Sequence, residues 1–257
     1  MKVTPKKHLG QHFLIDFDIS QKIADSIVIE KDNANVMEVG PGTGALTQFL
    51  FLEDINLIAY EIDQESIVFL NKKYPQLNLR NENVLSIDWK NIFKNQRFLV
   101  TGNFPYNISS QILFKIYENR NIVYQMVGMF QKEVAERICS GPGSKKYGIF
   151  SVLLQAFYDV EYLFTVDENV FNPPPKVKSG VIKISRNKTI KLDCNEKLFF
   201  VVVKSIFNQR RKMIRNSLKS FIKDQIIDHP LLLKRPEQLS VDDFIFITKL
   251  VESIHNK

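Results

Sequence analysis

The chain has 257 residues, 44% hydrophobic and 25% charged, the composition of a soluble globular protein long enough for an ample core. Its longest apolar run, Leu198 to Val203, is far short of the roughly 18 residues a membrane helix needs, so no membrane span is expected. The net charge of +7 is uneven: the segment from Arg186 to Lys223 carries eleven Lys or Arg against Asp193 and Glu196, a balance of +9, and the remainder sums to −2.

The N-terminal MKVTPKKHLGQHF has lysines without an apolar stretch behind them, so no secretory signal is expected. Asn35 to Val39 reads as a short buried strand running into a glycine-rich turn, with a helix from Ala45 to Leu52. Leu57 to Tyr60 is a second strand, and Gln64 to Tyr74 a helix with Asp63 as its N-cap. Strands follow at Leu77–Arg80 and Phe98–Thr101, then a helix from Ser110 to Glu118, an apolar run at Val123–Phe130 and a helix through Glu133–Arg137. Ser140 to Gly148 and Phe171 to Val177 are loops by their Gly and Pro content, and Val181–Ile184 is a late strand. Strands alternating with helices predict βαβ units on a mostly parallel sheet. After about Arg186 the pattern turns helical, at Leu198–Ile206, Arg211–Phe221 and Val241–Ile254, with Ser240 and Asp243 set as a capping box. Cys139 and Cys194 give neither a disulfide framework nor metal-ligand spacing, so reduced thiols in a metal-free intracellular protein are expected.

The basic block favours a polyanionic partner, nucleic acid before membrane. Arg210, Arg211, Lys212 and Arg215 fall within about one and a half helical turns, where cations repel each other without an anion. They are the candidate RNA contacts, against the plainer alternative of a solvated helix face.

Two short strings carry chemistry. Glu38-Val-Gly40-Pro-Gly42-Thr-Gly44-Ala45 ends the first strand and opens the first helix, and Gly40, Gly42 and Ala45 satisfy the dinucleotide template G-x-G-x-x-G/A. Glu61, 21 positions after Gly40, stands where a carboxylate takes ribose hydroxyls. Glu38 puts a negative charge beside the turn, which suits an ammonium or sulfonium better than a pyrophosphate. The alternating glycines let the backbone approach a compact ligand, so S-adenosylmethionine is favoured over NAD. Asn103-Phe104-Pro105-Tyr106-Asn107 then closes the Phe98 strand. Pro105 offers no N–H, Asn103 offers a side-chain carbonyl, and Tyr106 can stack on a base, a set suited to holding the amino group of adenine.

With these strings in hand the chain resembles the small-subunit ribosomal RNA adenine N6-dimethyltransferases, the KsgA family. The resemblance rests on Lys6 to Asp16, Glu38 to Thr47, Glu61 with Asp63, Asn103 to Asn107, Phe171 to Ser179 and Phe207 to Leu218, and runs nearly the whole length. It implies a class I (Rossmann-like) methyltransferase domain over residues 1–186, with a mostly parallel seven-stranded sheet, and a small all-α RNA-binding domain over residues 187–257. The implied activity is transfer of methyls from S-adenosylmethionine to N6 of two adjacent adenosines near the 3′ end of small-subunit rRNA. Implied partners are that rRNA and the immature small subunit, with the protein monomeric and cytoplasmic. Implied cofactor contacts are His12, Leu14, Gly40, Glu61, Asn83 and Asn103. The implied base pocket is Asn103, Phe104, Pro105 and Tyr106, with Phe171 on the opposite face of the adenine. Three positions depart from the family pattern: His12 for Asn, Asn83 for Asp, and Phe104 for Leu. Two other readings stay open: a large-subunit adenine methyltransferase of macrolide-resistance type, and an assembly factor that binds RNA without methylating it.

Overall fold

The computed structural model describes residues 3–30, 34–222 and 228–255. In chain order the elements are β1 (Phe13–Leu14), α1 (Phe17–Asp25), β2 (Asn35–Val39), α2 (Thr47–Leu50), β3 (Asn56–Tyr60), α3 (Gln64–Lys73), β4 (Asn78–Arg80), β5 (Phe98–Asn103), α4 (Ser109–Glu118) and β6 (Val123–Gln131). They continue through α5 (Lys132–Cys139), α6 (Ile149–Gln155), β7 (Tyr158–Val166), β8 (Phe171–Asn172), β9 (Ser179–Arg186), α7 (Glu196–Asn208), α8 (Ile214–Ser217), α9 (Lys219–Ile222) and α10 (Val241–His255).

Seven strands form one sheet in the order β4-β3-β2-β5-β6-β9-β7. The pairs from β4 to β6 are parallel, and β9 joins β6 antiparallel. Every residue of β2 is buried, as expected of a central strand covered on both faces. The chain runs outward from β2 to β3 and β4, then returns to place β5 on the other side of β2. This reversal is the switch point at which an open α/β sheet presents its ligand crevice. Because Glu38 pairs with Thr101, the turn after β2 and the end of β5 lie side by side.

Several elements are set by identifiable side chains. Asp63 caps α3 by accepting from Glu65 N–H at 3.4 Å. Ser240 and Asp243 form the reciprocal capping box before α10, at 2.9 and 3.1 Å. The expected helix at 45–52 contracts to α2, because residues up to Ala45 are held in turns, such as Gly44 N–H to Pro41 O at 2.8 Å. The expected helix at 211–221 is divided. Residues 209–212 form turns, Met213 is extended, and Ile214 N–H leaves the helical ladder to donate to Lys234 O at 2.9 Å. The cation cluster therefore sits on a turn rather than along a helix.

By packing, the chain falls into two compact units, residues 1–135 with 161–186, and residues 136–160 with 187–257. The second unit thus takes in α6 and its preceding loop as well as the C-terminal helices. Its core is built by α7, whose Phe199, Val202, Val203 and Ile206 recur at helical spacing and are fully buried, and by Phe244, Ile247 and Val251 of α10. The rings of Phe207 and Phe244 stack with centroids 5.5 Å apart.

Candidate active site

The turn after β2 is shaped by its glycines. Gly42 has φ +57°, and a Cβ there would come within 2.9 Å of the Phe13 ring. Glu61, at the carboxyl end of β3, folds back onto this turn. Its Oε2 accepts from Gly42 N–H at 3.1 Å, and its Oε1 from Ile62 and Asp63 N–H at 2.8 and 2.9 Å. Burial raises the Glu61 pKa against these three backbone donors, which favour the charged form. Glu38 is 1% exposed and accepts from Thr47 Oγ1 at 2.8 Å. Its carboxyl is pushed up to about 8, chiefly by burial.

At the end of β5 the Asn103 carboxamide donates from Nδ2 to His12 O at 2.8 Å, which turns Oδ1 away as an acceptor that no described residue fills. Tyr106 Oη lies 2.6 Å from Ser179 Oγ, and the Tyr106 ring stacks on His12 with centroids 5.7 Å apart. Burial raises the Tyr106 pKa, so the phenol stays neutral. His12 Nδ1 in turn meets Pro173 O at 2.8 Å. Phe104 is fully buried, its ring seated over Gly128, where a Cβ would come within 2.1 Å of Cε2. A glycine in β6 is therefore what admits an aromatic side chain at position 104.

Three cavities surround this corner. One of about 90 Å³ is lined by His12, Phe13, Gly40, Gly42, Glu61 and Asn103 to Ile108 among others. A second, of about 30 Å³, has Leu14, Glu38, Gly40, Gly42 and Asn103 in its wall. A wider trough of about 590 Å³ lies along His12, Tyr106, Gln131 and Pro173 to Val177. Of the expected cofactor residues, His12, Leu14, Glu38, Gly40, Gly42, Glu61 and Asn103 converge here.

Two expected site residues do not. Asn83 lines none of the three cavities; its Oδ1 caps Leu85 N–H at 3.0 Å. Phe171, expected across a base from Tyr106, is 3% exposed and packs in the core with Leu14 and Val181. Its strand β8 pairs with β1, Leu14 opposite Phe171, which turns the ring inward. Of the expected RNA contacts, Arg211, Lys212 and Arg215 are exposed, whereas Arg210 is bound by Ser144 O, Lys145 O and Glu237. Gln11, Phe13 and Ile62 also line the first cavity, beyond the residues expected from the sequence. Gln11 and Phe13 flank His12 in one contiguous string, and Ile62, half exposed beside Glu61, is an apolar residue at a cavity rim.

Fold and site together define a class I methyltransferase dependent on S-adenosylmethionine. The model of the family described as ribosomal RNA adenine dimethylase matches residues 3–251. The chain is 52% identical to ribosomal RNA small subunit methyltransferase A of Flavobacterium johnsoniae, over 98% of this chain and 97% of that one. To the protein of the same name in Bacteroides thetaiotaomicron it is 54% identical, over 97% and 95%. Solved structures share the fold: a dimethyladenosine transferase from Plasmodium falciparum has a TM-score of 0.77 at 24% identity, covering 95% of this chain and 98% of that one. The 23S rRNA methyltransferase ErmE has a TM-score of 0.68 at 22% identity, covering 92% and 99%. The chain belongs to the ribosomal RNA adenine dimethylase family. Its residues fit the family's methyl donor: the Glu61 carboxylate stands against the glycine turn, and Asn103 Oδ1 beside it is an acceptor that no described residue fills.

Proposed function

We propose that the chain dimethylates N6 of two adjacent adenosines near the 3′ end of small-subunit rRNA, acting as a cytoplasmic monomer on the immature small subunit. The observation that carries the reading is the Asn103–Tyr106 corner, set beside the Gly40–Gly42 turn with an unfilled acceptor at its centre. The donor, when bound, supplies a sulfonium-borne methyl as electrophile.

The work of the protein is to prepare the nucleophile. The N6 lone pair of adenine is delocalised into the ring. Asn103 Oδ1 and the Phe104 carbonyl accept the two N–H bonds and draw the nitrogen toward tetrahedral geometry, which frees the lone pair for in-line attack. Pro105 contributes a fixed φ and no competing donor at this corner. Tyr106 stacks on the extruded base, an interaction typically worth about 1–3 kcal/mol. No strong general base is needed, since the product ammonium is acidic enough to give its proton to water. Glu61 orients the ribose, with His12, Leu14, Glu38, Gly40 and Gly42 forming the cofactor wall. Arg211, Lys212 and Arg215 hold RNA phosphates. Phe171 takes no part unless the β1–β8 pair opens.

The decisive experiment is mass spectrometry of rRNA from cells with and without the gene. Loss of N6,N6-dimethyladenosine from small-subunit rRNA is the expected result. Loss from large-subunit rRNA, or no loss in either, overturns the reading in favour of the macrolide-resistance type or a non-methylating assembly factor.

A further inference from the structure

The helical unit contains two kinds of cation. Arg210 is satisfied internally: Nη2 donates to Lys145 O at 2.5 Å and to Ser144 O at 3.4 Å, and Nε lies 3.9 Å from Glu237 Oε2. The Glu237 carbonyl in turn accepts from Gly143 N–H at 2.6 Å. Lys146 is paired with Glu136 at 2.5 Å. Lys145, Arg211 and Lys212 are different. All three are exposed, and none makes a side-chain hydrogen bond or ion pair among the described residues.

Arg210 thus fastens the loop 140–148 to the turn that carries Arg211 and Lys212. The loop is also tied on either side of Lys145, by Gly143 N–H to Glu237 O and by Lys146 to Glu136, but among the described residues Arg210 alone donates to the Lys145 carbonyl itself. The inner end of the loop is fixed by Tyr147, fully buried with its ring 6.0 Å from that of Phe207. One guanidinium therefore sets where Lys145 stands relative to Arg211 and Lys212. Three neighbouring exposed cations without a counter-charge repel each other and are relieved by a polyanion. Arg210, partly neutralised by Glu237 and with its donors engaged, has less to offer a phosphate.

We propose that Lys145, Arg211 and Lys212 form one contact surface for an RNA phosphate backbone, and that Arg210 is a positioning residue that holds Lys145 in it rather than a phosphate ligand. This rests on the rRNA reading above and names part of the surface it requires. It adds Lys145, outside the basic block of the sequence, and withdraws Arg210 from direct contact.

The test is the salt dependence of binding between the intact protein and a transcribed 3′ fragment of small-subunit rRNA. Lys145→Ala and Arg211→Ala are each expected to reduce the log–log slope by about 0.7–0.9 units. Between 50 and 200 mM salt, each variant then loses affinity about threefold less than wild type does. Arg210→Lys keeps the charge but not the fork, and should lower the slope by the same step as Lys145→Ala. The double variant Arg210→Lys/Lys145→Ala should match Lys145→Ala alone. A wild-type slope for Lys145→Ala, with Arg211→Ala reduced, overturns the proposed surface. A wild-type slope for Arg210→Lys, with Arg210→Ala reduced by one step, makes Arg210 a phosphate ligand and overturns its positioning role. Wild-type protein that binds the fragment without salt dependence overturns the inference together with the rRNA reading.

Discussion

The Asn103 side chain and the His12 main chain, 91 residues apart, meet in one 2.8 Å hydrogen bond that decides which end of the amide faces the cavity. With Nδ2 committed to a carbonyl, Oδ1 has to face the other way. Asn103→Ala is expected to lower the rate of methyl transfer by about 10²–10³-fold, the usual effect of deleting one electrostatic group at a reacting centre. RNA affinity should hardly change. Labelled-methyl transfer measured beside filter binding checks both, and a wild-type rate would remove Asn103 from the chemistry.

Tyr106 combines a ring and a hydroxyl whose contributions separate. Tyr106→Phe loses the 2.6 Å contact with Ser179 Oγ, at a cost of about 1 kcal/mol in stability, and keeps the stacking face. Tyr106→Ala loses both and should in addition weaken productive RNA binding by about 1–3 kcal/mol, on the order of 5- to 150-fold. Thermal melts and KM values for the two variants distinguish these effects. Equal transfer kinetics for both variants would argue against stacking.

Gly128 and Phe104 are matched in size. Gly128→Ala drives a methyl into the Phe104 ring and should destabilise the protein by about 1–3 kcal/mol. Gly128→Ala with Phe104→Leu should recover most of that loss, because a smaller side chain leaves room for the methyl. Denaturant unfolding of the four members of this cycle measures the coupling.

Glu38 makes stability depend on pH in a defined direction. Its folded pKa of about 8 lies above its ordinary value of 4.5, so between these the native chain keeps a proton that the unfolded chain has released. Stability contributed at this position is therefore full below about pH 4.5, falls as pH rises toward 8, and levels off above, with a slope on the order of 1 kcal/mol per pH unit. Glu38→Gln should flatten the fall in Tm between pH 5 and 8. An unchanged Tm profile would show that Glu38 titrates normally.

What the sequence disclosed was local. The turn Gly40–Gly44 and the corner Asn103–Tyr106 each lie within a few residues, and a strand before and a helix after gave their place in the sheet. The pairing of β1 with β8 was not legible, because two residues on each side carry no periodicity and lie far apart along the chain. The burial of Phe171 is illegible for the same reason: a motif tells which residue is present, while the strand pair tells which way it points. The helix expected over 211–221 failed differently. Ile214, Leu218 and Phe221 keep helical spacing, but Ile214 N–H is drawn to Lys234 O, a tertiary contact no local pattern announces. In sequence Arg210 is equivalent to its two neighbours; what sets it apart is its guanidinium on the 144–145 backbone.

The contact between His12 and Pro173 spans 161 residues. During synthesis, therefore, the glycine turn and the Asn103 corner emerge well before the segment that completes the wall around His12. A nascent chain stopped short of Phe171 lacks β8 and leaves β1 without its partner strand. The cofactor side of the site is thereby tied to completion of the sheet, since β9, which follows β8, is also the strand that pairs with β6. Competence to methylate arrives late in the life of the nascent polypeptide, with the folding of the last strand.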